Sequence, residues 1–130
     1  MPLAALVVDD SMLIRHTVCR FLEERGFAVE SATNGLEALE VLSRVRPDVI
    51  ITDMQMPRMD GSELITTIKS KPDTAKIPIV ILAGRQSGFA GKEERANYVI
   101  YKDIEIEDQL DKALRVTLSG AAVKEHATGK

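Results

Sequence analysis

The chain has 130 residues, of which 45% are hydrophobic, enough for one substantial core and too few residues for a second domain of ordinary size. The formal net charge is -3 with the two signs interspersed, which excludes the broad basic face that a nucleic acid or an anionic membrane requires. Cys19 is the single cysteine, so an internal disulfide and a cysteine-rich zinc site are excluded, and no apolar run approaches the roughly 20 residues that span a bilayer. With no charged, apolar leader at its start, the protein is expected to be cytoplasmic.

Leu6, Val7 and Val8 form a short, valine-rich run that reads as a buried strand and ends at Asp9 and Asp10. Ser11 suits the cap of the next segment, where Ile14, Val18, Phe21 and Leu22 recur at helical spacing until Gly26 offers a left-handed stop. Residues 27–32 alternate as a half-buried strand does. Asn34-Gly35 then turns the chain into a helix carrying Ala38, Leu39, Leu42 and Val45, expected to stop before Pro47.

Val49, Ile50 and Ile51 are consecutive and β-branched, which suits a central parallel strand, and this run also ends on an acid, Asp53. Residues 54–59 form a loop, after which Asp60 and Glu63 stand at capping-box spacing before Leu64, Ile65 and Ile68. Residues 77–82 are the most apolar run, and Val99 to Tyr101 is a short strand reaching Lys102. Between these strands, Gly84, Gly88 and Gly91 each weaken a helix by about 1 kcal/mol relative to alanine, so only a short or irregular one is expected there. Ile106, Leu110, Ala113 and Leu114 mark the last helix. The small, polar tail from Ser119 to Lys130 is expected to fray.

Strand-then-helix alternation implies an open, mostly parallel α/β sheet with helices on both faces, and ligands bind such sheets beyond the carboxyl ends of the strands. Asp9, Asp10, Asp53 and Lys102 all fall at such ends, so the fold should gather three acids and a lysine on one edge. An acid after a strand more often caps a turn or a helix, but three together repel one another, and a hard divalent cation such as Mg²⁺ is the usual remedy.

Val7-Val8-Asp9-Asp10-Ser11, the run Asp53-Met54-Gln55-Met56-Pro57 with Asp60-Gly61, and Lys102 resemble the receiver domains of two-component response regulators over nearly the whole chain. The resemblance implies a flavodoxin-like (βα)5 open sandwich with a five-stranded parallel sheet in the order 2-1-3-4-5. It implies a receiver over residues 1–118 with a polar tail, 119–130, and no output domain. Asp53 is then the phosphoacceptor and Lys102 the partner of the bound phosphoryl group. Mg²⁺ is held by Asp9, Asp10, Asp53 and the main-chain carbonyl of Gln55. The donor is a sensor histidine kinase or histidine phosphotransfer protein. A downstream protein takes the signal by contact, with no nucleic acid or membrane involved, from a monomer or weak dimer that is a signalling domain and not an enzyme. His16 is expected on the solvated face of the first helix.

Three positions depart from the family pattern. Ala83 stands where receivers usually carry Thr or Ser, and Val99 where they carry Tyr or Phe, with Tyr98 one residue away as a substitute. Asp103 replaces the usual proline after the lysine. Gln55 and Arg85 occupy positions that in the family influence how long the phosphoryl group lasts.

A phosphatase of the haloacid-dehalogenase type is disfavoured because Gln55 stands where its general acid would be. No phosphate-binding glycine motif follows the first strand. The remaining alternative is a degenerate receiver that works as a phosphorylation-independent protein-binding module.

Overall fold

The computed structural model describes residues 3–84, 95–102 and 105–129, with side chains described as far as Leu118. The elements are β1 (Ala4–Val8), α1 (Met12–Glu23), β2 (Ala28–Ala32), α2 (Gly35–Leu42), β3 (Val49–Asp53), α3 (Gly61–Ser70), β4 (Ile79–Ala83), β5 (Tyr98–Tyr101) and α4 (Ile106–Gly129). The strands form one parallel sheet in the expected order, β2-β1-β3-β4-β5. Helices α1 and α4 cover one face and α2 and α3 the other, each over its own apolar cluster. Covered on both sides, β3 and β4 are buried along their whole length, which is why β4 is apolar throughout and β3 is apolar until Thr52 and Asp53 close it.

Local signals set the helix starts. Ser11 Oγ accepts from the Ile14 N–H, Asn34 Oδ1 from the Glu37 N–H, and Asp60 and Glu63 complete a reciprocal capping box. Gly26, with φ of 88°, turns the chain out of α1.

Two expectations are corrected. Helix α2 stops before Pro47 as expected but already at Leu42, short of the Val45 it was expected to carry, because Ser43 Oγ donates to the Glu40 carbonyl and the Arg46 guanidinium to the Leu42 carbonyl, so side chains take up its last acceptors. Helix α4 runs to Gly129, where a frayed tail was expected from Ser119. Ala121, Ala122, Lys124 and Glu125 are good helix formers, and extending a helix already docked at Leu110 and Leu114 needs no new nucleus. The helix expected between the last two strands falls chiefly on residues outside those described.

Candidate functional site

Parallel pairing brings the strand ends to one edge: Val8 lies beside Ala32 and Thr52, Asp53 beside Leu82, and Ala83 beside Tyr101. Asp9 and Asp10 follow β1, Asp53 closes β3 and Lys102 follows β5, its N–H continuing the ladder to the Ala83 carbonyl at 2.9 Å. The four residues singled out from the sequence therefore meet.

Asp9 is wholly buried and held at several atoms. Its N–H donates to the Ala32 carbonyl at 3.1 Å, its Oδ1 accepts from the Ser11 N–H at 2.8 Å, and its carbonyl accepts from Arg15 Nη1 at 2.8 Å. Asp53 Oδ1 accepts from the N–H groups of Met54 and Gln55 at 2.7 and 3.3 Å, which fixes the plane of that carboxylate. Lys102 Nζ lies 2.9 Å from Asp9 Oδ2 and 3.1 Å from Asp53 Oδ2. Asp10 stands exposed at the mouth, and one oxygen from each of the three acids lies within 4.8 Å of the others.

Burial pushes the Asp53 carboxyl above the ordinary aspartate value, and the charge of Asp9 adds to this, against the opposing pull of Lys102. Burial pulls the Lys102 pKa down, but contact with Asp9 and the charges of Asp9 and Asp53 outweigh it and raise the pKa above the ordinary lysine value. Three carboxylates against one ammonium leave two negative charges in excess. Asp9 Oδ2 is the buried side-chain acceptor that takes no hydrogen bond among the described residues, with the Lys102 ammonium 2.9 Å away as its ion-pair partner. A hard divalent cation answers both features, and the residues present fit one.

The loop after β3 is clamped from two sides. The Gly61 N–H donates to the Met54 carbonyl at 2.9 Å and the Gly35 N–H to the Met59 carbonyl at 3.1 Å. Met54, Met56 and Met59 pack against the cluster under α2 and α3 and so anchor the loop. Gln55 is exposed between them.

Strand β5 resolves the alternation that the sequence left open. Val99 and Tyr101 pack toward α2 and α3, on the same face as Ala83, while Tyr98 and Ile100 pack toward α1 and α4. Tyr98 is thus on the wrong face to replace the missing ring. Tyr101, in register with Ala83, is the aromatic residue on the shared face, its main chain held at both ends by the Gln109 side chain. Arg85 and Asp103 lie outside the described residues. His16 is exposed on α1 and Cys19 half-buried. Arg15, six residues past Asp9, was missed because no periodicity announces a side chain that turns back over its own helix cap.

A family model for the response regulator receiver domain matches residues 5–115. Response regulator MprA of Mycobacterium sp. (strain KMS) is 36% identical over 113 residues, 85% of this chain and 48% of the relative; its namesake in Mycobacterium leprae is 37% identical over 108 residues, 81% and 46% respectively. The chain thus spans about half the length of the curated relatives it matches. Among solved structures, chemotaxis response regulator CheY4 of Vibrio cholerae is 31% identical with a TM-score of 0.78, covering 89% of this chain and 99% of its own. The receiver domain of a signal transduction histidine kinase from Syntrophus aciditrophicus is 33% identical with a TM-score of 0.77, covering 91% of each chain. Among the described residues no helix is long and apolar enough to cross a membrane. The chain belongs to the response regulator receiver domains, the phosphorylation-controlled signalling modules of two-component systems.

Proposed function

We propose that Asp53 accepts a phosphoryl group from a phosphohistidine of a sensor kinase or phosphotransfer protein. One oxygen of its carboxylate attacks phosphorus, and the new O–P bond forms as the N–P bond breaks, with the electron pair leaving on the imidazole nitrogen. The observation that carries this reading is the meeting of Asp9, Asp10 and Asp53 around a buried oxygen without a hydrogen-bonded partner, with one ammonium beside it.

Asp53 is poised by its two main-chain donors, which leave its side chain little freedom to turn away from an incoming group. Lys102, already 3.1 Å from Asp53 Oδ2, is placed to follow the charge onto a phosphoryl oxygen. Asp9, Asp10, Asp53 and the Gln55 carbonyl would hold Mg²⁺, whose chemistry here is neutralisation of the charge gathered in line with the attack. The role is that of a phosphoacceptor which helps its own transfer, not of an enzyme acting on a separate substrate.

We assign the receiver to residues 1–118, since Leu118 is the outermost side chain that packs on the core among those described. The signal passes to a downstream protein by contact. One observation favours the second reading, a binding module indifferent to phosphorylation: Ala83 offers no hydroxyl to a phosphoryl group, and Val99 on the same face no ring. Incubation with Mg²⁺ and a small phosphodonor separates the two. Intact mass should show a single phosphoryl adduct that Asp53→Asn abolishes. An unmodified chain, from small donors and from histidine kinases alike, would leave the contact reading.

A further inference from the structure

We propose that Arg15 is a positioning residue for the acid cluster, holding the main-chain turn that carries Asp10 in the orientation a divalent cation needs. This rests on reading the cluster as a metal site.

The Arg15 N–H donates to the Ser11 carbonyl at 3.0 Å, within the first turn of α1, and its half-buried guanidinium reaches back to the Asp9 carbonyl at 2.8 Å. That carbonyl belongs to the peptide joining Asp9 to Asp10. With the Asp9 N–H bound to Ala32 and Oδ1 to Ser11, the contact from Arg15 fixes the remaining main-chain acceptor. Asp9 Oδ2, the atom turned to the cluster, is then left to the Lys102 ammonium and to whatever the cluster holds. Asp10 depends on this more than its neighbour does. Its exposed carboxylate makes no hydrogen bond or ion pair among the described residues, so only the backbone beneath it sets its place.

A cation is otherwise an unfavourable choice so close to a site for another cation, since the two repel. The planar guanidinium offsets this with a rigid, directional donor, which a flexible lysine ammonium matches less well. The two effects have opposite signs. If Arg15 acts by charge alone, removing it strengthens Mg²⁺ binding; if it acts by holding the turn, removing it weakens binding.

The test is titration of the ¹⁵N-labelled chain with magnesium chloride, following the amides of Asp10, Asp53 and Lys102, for the wild type, Arg15→Met and Arg15→Lys. Arg15→Met should weaken Mg²⁺ binding roughly tenfold, the lower end of what loss of an outer-shell partner costs. Arg15→Lys should lose less, and the dispersed metal-free spectrum should persist in both. Equal or tighter binding by Arg15→Met overturns the role of Arg15 while leaving the metal site intact. Absence of binding by the wild type overturns the metal site as well. Should Arg15→Met fail to fold, Arg15→Lys decides alone: weaker binding supports the role, and unchanged binding overturns it.

Discussion

Gly61 lies directly against the main chain of Asp53. A β-carbon built on Gly61 would collide with the Asp53 carbonyl oxygen and stand 2.7 Å from the Met54 α-carbon. These two nearest neighbours are backbone, which cannot swing aside as the Met54 sulfur at 2.8 Å could. The first residue of α3 therefore sets how close that helix comes to the reactive strand end. Gly61→Ala should cost about 1–3 kcal/mol, as overpacking does. Ser62→Ala, one residue on and exposed, should stay within about 0.5 kcal/mol. Urea denaturation of the two variants measures the difference, and equal stabilities would contradict the close approach.

Asp53 carries a stability signature of its own. In the metal-free protein its pKa is raised by burial and by Asp9, so the folded state binds that proton more tightly than the unfolded chain does. The contribution of this group falls as pH rises from the unfolded carboxylate value through the folded one, and above that it stays unfavourable. Asp53→Asn should therefore raise the Tm in EDTA at neutral pH and narrow the gap to wild type in acid. Each kcal/mol recovered moves a domain of this size by about 4 °C. Scanning calorimetry at neutral and acidic pH checks the sign; a lower neutral Tm for Asp53→Asn would refute it.

Arg58 is the positive-φ residue other than glycine among those described, at 70° in the loop between Asp53 and α3. The left-handed region costs a side-chain-bearing residue about 1–2 kcal/mol, and glycine returns about 0.5–1 of that through its unfolded-state freedom. Arg58→Gly should thus gain roughly 0.5 kcal/mol. A loss of stability in urea would mean that the arginine side chain contributes more than its backbone costs.

Ala83 and Tyr101 face the same side in register, with no hydroxyl on β4 to follow a phosphoryl group. Beryllofluoride with Mg²⁺ should therefore leave the amide shifts of β5 nearly unmoved in the wild type. Ala83→Thr should widen the response, by restoring a hydrogen bond worth about 1.5–3 kcal/mol to a charged acceptor. Broad shifts through 95–102 in the wild type would show that the switch runs without that hydroxyl.

Much of the fold was legible because each element carries its own local marker. Ser11 and the Asp60–Glu63 box announce helix starts, and the unbroken β-branched run of β3 announces burial on both faces. The acids and Lys102 were legible because parallel strands deliver their ends to one edge whatever the sequence between them. What stayed hidden depends on three-dimensional closeness. The Arg46 contact that ends α2 early, the Arg15 contact to Asp9, and the clash that keeps Gly61 a glycine all join groups whose meeting no spacing encodes. The face of Tyr98 required the strand register, since alternation gives two phases and only packing selects one.

The most direct test of the acid site is a crystal grown or soaked with magnesium and beryllofluoride. The expected density is an ion among Asp9, Asp10, Asp53 and the Gln55 carbonyl, with beryllofluoride on an Asp53 oxygen and Lys102 turned toward a fluorine. Density for neither group at the strand ends, with Lys102 still spanning Asp9 and Asp53, would contradict the assignment.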